Sequence, residues 1–239
     1  MEYFELYHLL KDKVNYQDDM IPIDNTTRVI NRNFQSRSSN ILPGESGSEV
    51  NNESVEEIDD IHIQENREFR YHLFQPIKTT RSKEAILMFH GLNEKYWTKY
   101  LPWAKRLSEL THKTVILFPI AFHMNRAPQT WSDRRTMQAV CERRKERFPD
   151  VIHSTISNVA ISSRLHFFPQ RLFWSGLQTY YEVIQLLNEI KSDQRPDIDN
   201  TPLLFPLSTP FNFQYLPPAV PRIYPLPIYG TLPLNVLRR

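Results

Sequence analysis

The stretch AILMFHGLNEKYWTKYLPWAKRLSELTHKTVILFPIAF, residues 85–122, decides how this chain is read. It opens on a short continuous apolar run, AILMFH (85–90), of the kind found in a strand covered on both faces. Residues 97–113 then carry Trp97, Tyr100, Leu101, Ala104, Leu107 and Leu110 at helical spacing, with Pro102 early, where a missing N–H costs least. A second apolar run, TVILFPIAF (114–122), follows at once. Strand, helix and strand within some forty residues make a βαβ crossover, which requires a parallel sheet with helices on its faces.

Working outward, FRYHLFQP (69–76) alternates Phe69, Tyr71 and Leu73 against Arg70, His72 and Phe74, which is strand-like, with Pro76 as the stop. Residues 1–12 form a short helix with Tyr3, Phe4, Tyr7 and Leu10 on one side. From Asn31 to Asp60 the chain is rich in Asn, Ser, Glu and Asp, too polar to offset its own chain entropy, and reads as loop or disorder. Its acid run Glu56, Glu57, Asp59, Asp60 is expected to be a solvated linker rather than a metal site.

Beyond the crossover, residues 130–148 read as an amphipathic helix with Trp131, Met137, Val140 and Cys141 inward and its arginines outward. A long helix follows Pro169, with a stripe of Phe173, Leu177, Tyr180, Ile184 and Leu187. After Arg195 the character changes. Residues 196–239 hold more than half of the chain's 18 prolines, while the whole chain has only 5 glycines. Proline at that frequency is incompatible with a helix or a central strand, so this segment is expected to be an extended, unfolded tail.

Composition narrows the function classes. With 29 basic and 27 acidic residues the net charge is +2, so no overall field points to nucleic acid or an anionic membrane. Cys141 is the one cysteine, which excludes an internal disulfide framework and fits a reducing compartment. No run approaches the roughly 18 apolar residues of a membrane span, and the first residues lack a signal-peptide core, so a cytoplasmic location is expected. The eight histidines show no zinc-ligand spacing, and neither a Walker A loop nor GxGxxG occurs; no metal and no cofactor is expected.

The block ILMFHGLNEKYWTKYLPWAKRLSELTHKTVILFPIAFHMNRAP resembles the α/β-hydrolase superfamily, and more narrowly an uncharacterised bacterial domain family of that fold, over residues 66 to 192. The resemblance implies a partial α/β-hydrolase-like parallel sheet with flanking helices. It divides the chain into a polar N-terminal region (1–65), an incomplete hydrolase-like domain (66–195) and the proline-rich tail (196–239). It also implies an oxyanion-type loop at His90, Gly91 and Leu92, where a backbone N–H would face developing negative charge. Asn93 and Glu94, and His123, Asn125 and Arg126 after the second strand, are candidate ligand-loop residues at the edge where α/β folds bind ligands. Each has a plainer alternative as a loop hydrogen-bonder, and Glu94 as a cap for the following helix.

The pattern then requires a strand leading into a Gly-x-Ser-x-Gly elbow near residues 200–212, where the chain reads TPLLFPLSTPFNF. Ser208 is there without its glycines. The triad order of this fold is Ser, then an acid, then His, whereas the last His here is His166 and the last acid Asp199. The expectation is therefore a hydrolase-like chain without catalytic residues, inactive or truncated. A non-catalytic binding module and a frame-shifted fragment are the alternatives, with self-association through an uncovered sheet edge. Partners are otherwise unknown.

Overall fold

A computed structural model describes residues 2–38, 60–78, 82–91, 94–127, 133–150, 155–156, 159, 170–192 and 198–207. The chain divides into two compact units: residues 1–34, 70–119 and 185–239 make one, and residues 35–69 and 120–184 the other.

The first unit is built on a six-stranded sheet in the order β1-β2-β3-β5-β4-β6. Its strands are β1 (Met20–Pro22), β2 (Thr27–Gln35), β3 (Glu68–Pro76), β4 (Ser82–Met88), β5 (Thr114–Leu117) and β6 (Ile198–Leu207). The βαβ crossover is present: α3 (Leu101–Thr111) joins β4 to β5, and the two strands pair in parallel with Met88 opposite Leu117. The sheet is mixed rather than parallel, because β3 runs antiparallel to β5 and β1 antiparallel to β2. Helix α1 (Tyr3–Lys13) packs on α3.

Four expectations change here. Residues 20–35 belong to the sheet, although their sequence looks polar: Val29, Ile30 and Phe34 are buried, and so is Asn31. The tail folds as far as Leu207, since β6 pairs in parallel with β4. It is an end strand in the order, a sheet position that tolerates proline such as Pro202 and Pro206. The side of α1 that faces inward carries Leu6 and Leu10, leaving Tyr3 and Phe4 exposed. On α3, Leu101, Ala104, Lys105 and Ser108 are buried while Leu110 is exposed. Lys105 lays its stem along the apolar surface and delivers its ammonium to Asp24 at 2.8 Å and to Glu109.

The second unit contains a short helix α2 (Gln64–Arg67), α4 (Arg134–Arg147) and most of α5 (Gln170–Lys191). Met137, Val140 and Cys141 of α4 are buried as expected, clustered with Val159. The expected stripe of the long helix is only partly its inner face: Leu177, Tyr180, Ile184 and Leu187 are half-buried, and Val183, Leu186 and Ile190 are buried. Phe173 is 63% exposed, whereas Arg171, Ser175, Gln178, Thr179 and Glu182 are buried. That polar face is stable because every member has a partner. The Arg126 guanidinium forks onto Glu182 at 2.6 and 2.7 Å with both side chains fully buried. Gln178 donates to Glu182 Oε1 at 2.8 Å and accepts from Asn66 at 2.9 Å. Arg171 clasps Asp60 at 2.6 Å, so Asp60 is a buried anchor rather than part of a solvated linker. Residues 39–59, with the other acids of that run, lie outside the described residues.

Candidate functional site

Strand β4 has a parallel neighbour on each side, and Met88, its last residue, is level with Leu117 of β5 and with Leu207 of β6. The chain leaves β4 through α3 to reach β5 on one side and returns later as β6 on the other. Such a reversal of strand order opens a crevice at the carboxyl ends, where open α/β sheets hold their ligands. The loop that follows β4 at that point begins His90-Gly91.

His90 is fully buried, and its Nδ1–H donates to the Gly91 carbonyl at 2.9 Å, which fixes the tautomer. Gly91 N–H, one of the expected oxyanion donors, is already engaged: it donates to the Tyr100 hydroxyl at 2.7 Å. No glycine among the described residues adopts a positive φ, so left-handed freedom is not what Gly91 supplies. Leu92 and Asn93 lie outside the described residues. Glu94 does not cap α3; it pairs with Lys99.

The turn Trp97–Tyr100 completes the loop. Tyr100 N–H and Leu101 N–H both donate to the Trp97 carbonyl, at 2.7 and 3.2 Å, and so start α3. Tyr100 is the N-cap residue and makes no side-chain cap; its hydroxyl accepts from Gly91 N–H instead. The Lys99 ammonium lies 4.9 Å from the Tyr100 ring centroid, and the Glu94 carboxylate holds its pKa above the ordinary lysine value. Trp97 is 2% exposed, with its ring 5.3 Å from that of His90 and 5.7 Å from that of Tyr100. Its Nε1–H meets no acceptor among the described residues.

The other candidates divide. His123 is half-buried and donates through Nδ1 to the Ala121 carbonyl at 2.8 Å; Asn125 is exposed. Arg126 is no ligand-loop cation: besides Glu182 it bonds the Asn66 carbonyl at 3.0 Å and stacks 3.9 Å over the Phe69 ring. This segment carries strain, with φ of 64° at Phe122 and 53° at Met124, a region a bulky residue enters only when its surroundings force it. Asn66 and Thr179 do so, accepting from Phe122 N–H at 3.1 Å and Ala121 N–H at 3.0 Å.

Sequence reasoning missed Tyr100 and Lys99, and took Trp97 for plain core. It also missed Asn66, Gln178 and Glu182, although polar residues at 171, 175, 178, 179 and 182 share one helical face and could have been noticed.

Among the described residues no group of three His, Cys, Asp or Glu could hold a metal ion, and no helix is long and apolar enough to cross a membrane. Neither a curated protein nor a solved structure matches the chain. One family pattern does match, over residues 1–204, and the chain accordingly belongs to that family, DUF6051, a family of unknown function.

Proposed function

We propose that this chain is an α/β-hydrolase-like protein that binds a ligand at the loop after β4 without hydrolysing it. The observation that carries the reading is the occupied Gly91 amide. A donor meant for a developing oxyanion has to be open to substrate, and here it is bonded to Tyr100 inside the fold. The placement of β4 between two parallel strands, with this loop at the reversal of strand order, supports the hydrolase-like part. The sequence around Ser208 supports the non-catalytic part: Pro206 and Pro210 stand where a Gly-x-Ser-x-Gly elbow has its glycines.

Exposure of the full chain to a fluorophosphonate probe tests this directly. No labelling is expected, whereas labelling that disappears in Ser208→Ala would overturn the reading. One observation favours a second origin for the same outcome. The family match stops at residue 204, inside the proline-rich segment and before the end of β6, as a reading-frame change near codons 190–205 would produce. An unbroken frame across those codons in independent isolates would dismiss it.

A further inference from the structure

We propose that the turn Trp97–Tyr100 receives the carboxylate of a small aliphatic acid, with the Trp97 indole N–H as its donor. This deepens the reading of the β4 loop as a ligand crevice and rests on it. The indole nitrogen is a donor only, and burying such a group unpaired costs about 1–3 kcal/mol. Native folds rarely leave such a group unmet, and water, an ion or a ligand meets it where the chain does not.

The surroundings define the acceptor. The indole is flanked by two aromatic rings, those of His90 and Tyr100. Glu94 and Lys99 pair with each other, and the amino-terminal end of α3 adds a field that favours negative charge. A phosphate would need several converging donors. One indole N–H beside two aromatic rings, at the amino-terminal end of a helix, suits a singly charged carboxylate with a short hydrocarbon chain.

The test uses the 15N-labelled full chain. The Trp97 indole resonance is identified by its loss in Trp97→Phe among the 4 tryptophans. Titration with butyrate is expected to move that resonance alone, downfield and saturably, at millimolar concentrations or below. Methyl butyrate, which keeps the acyl oxygen without the charge, is expected to bind several-fold more weakly. An unmoved resonance would overturn the proposal, as would inorganic phosphate moving it as strongly as butyrate. A shift of the ligand-free resonance in Asn93→Ala would also overturn it, because the chain's own amide would then be the acceptor. The readout needs no reaction at any serine, so its failure is distinct from failure of the non-catalytic reading.

Discussion

The inner face of α5 and the turn before α3 both bury polar groups, but they finish the task differently. On α5, Arg126, Glu182, Gln178 and Asn66 close on one another, and Arg171 closes on Asp60. At the turn, Gly91 and Tyr100 satisfy each other while the Trp97 N–H meets no acceptor among the described residues. A network closed largely by its own chain is scaffold: its bonds fix one packing of the helix. A buried donor left over is the more informative feature. Following a strand in the sequence is therefore insufficient to identify a ligand residue, since Arg126 follows β5 and is buried against Glu182.

If that contrast is real, the largest effect comes from breaking the scaffold. Glu182→Ala leaves the Arg126 guanidinium buried and uncompensated, and a loss of about 3–5 kcal/mol is expected from urea midpoints. Replacing both partners, as Arg126→Met with Glu182→Leu, should recover most of it, because the pair's desolvation cost goes with it. A loss below about 1 kcal/mol in Glu182→Ala would mean that the pair is solvated and the contrast is empty.

A second completed cluster lies in the sheet. His72 is 2% exposed, its Nδ1–H donates to Asn31 Oδ1 at 2.7 Å, and the Tyr16 ring lies 4.7 Å away. Burial, assisted by the Arg70 charge, pushes its pKa down to about 3. Burial also pushes the Tyr16 hydroxyl up to about 12, so Tyr16 stays neutral throughout. Below about pH 6.5 the unfolded chain takes up a proton that folded His72 refuses. Stability is thus full above that pH and falls by about 1.4 kcal/mol per unit toward pH 3. Urea midpoints at pH 7.5, 6.5 and 5.5 should show the decline in the wild type and a flatter course in His72→Gln. Equal slopes would remove His72 from the completed set.

The crossover was legible because each of its parts is a run of consecutive residues whose own pattern declares its burial. The strands around it were not. Strand β2 reads as polar because Asn31, in its middle, is buried to bond the Asn15 and Asp18 carbonyls and His72, partners that only the folded chain brings near. Strand β6 reads as unfolded because the proline rule for central strands does not hold at a sheet's end. For α5 the apolar stripe was read as the inner face, whereas pairing among Asp60, Asn66, Arg126 and the helix buries Arg171, Gln178 and Glu182 and leaves Phe173 exposed. The candidate site was half legible. His-Gly after an apolar strand marks the loop, but nothing local indicates that Gly91 N–H will be taken by a hydroxyl nine residues on.

That bond gives the next smaller effect. Tyr100→Phe keeps the ring packed against Trp97 and Trp103 while stranding the Gly91 amide, and about 1–2 kcal/mol of stability should be lost. No change in the urea midpoint would mean that water reaches Gly91 N–H. The amide would then be an open donor, and the case against an oxyanion role would fail.

The smallest effect separates the two kinds of titration in the sheet unit. Burial works to raise the Asp24 pKa, but the Lys105 ammonium and the Thr26 and Thr27 donors outweigh it and hold the carboxyl well below its usual range. Because Asp24 is 37% exposed, solvent screens much of this, and Asp24→Asn should cost only about 1 kcal/mol. The sign differs in pH from that of His72. A depressed carboxylate pKa contributes stability that is complete above about pH 4 and disappears as pH falls further. Between pH 5.5 and 7.5 the Asp24→Asn curve should therefore run parallel to the wild type, offset by a constant amount, while His72→Gln converges on or crosses it. A slope change in Asp24→Asn within that window would mean that the two clusters are coupled, and the decline could no longer be assigned to the buried imidazole alone.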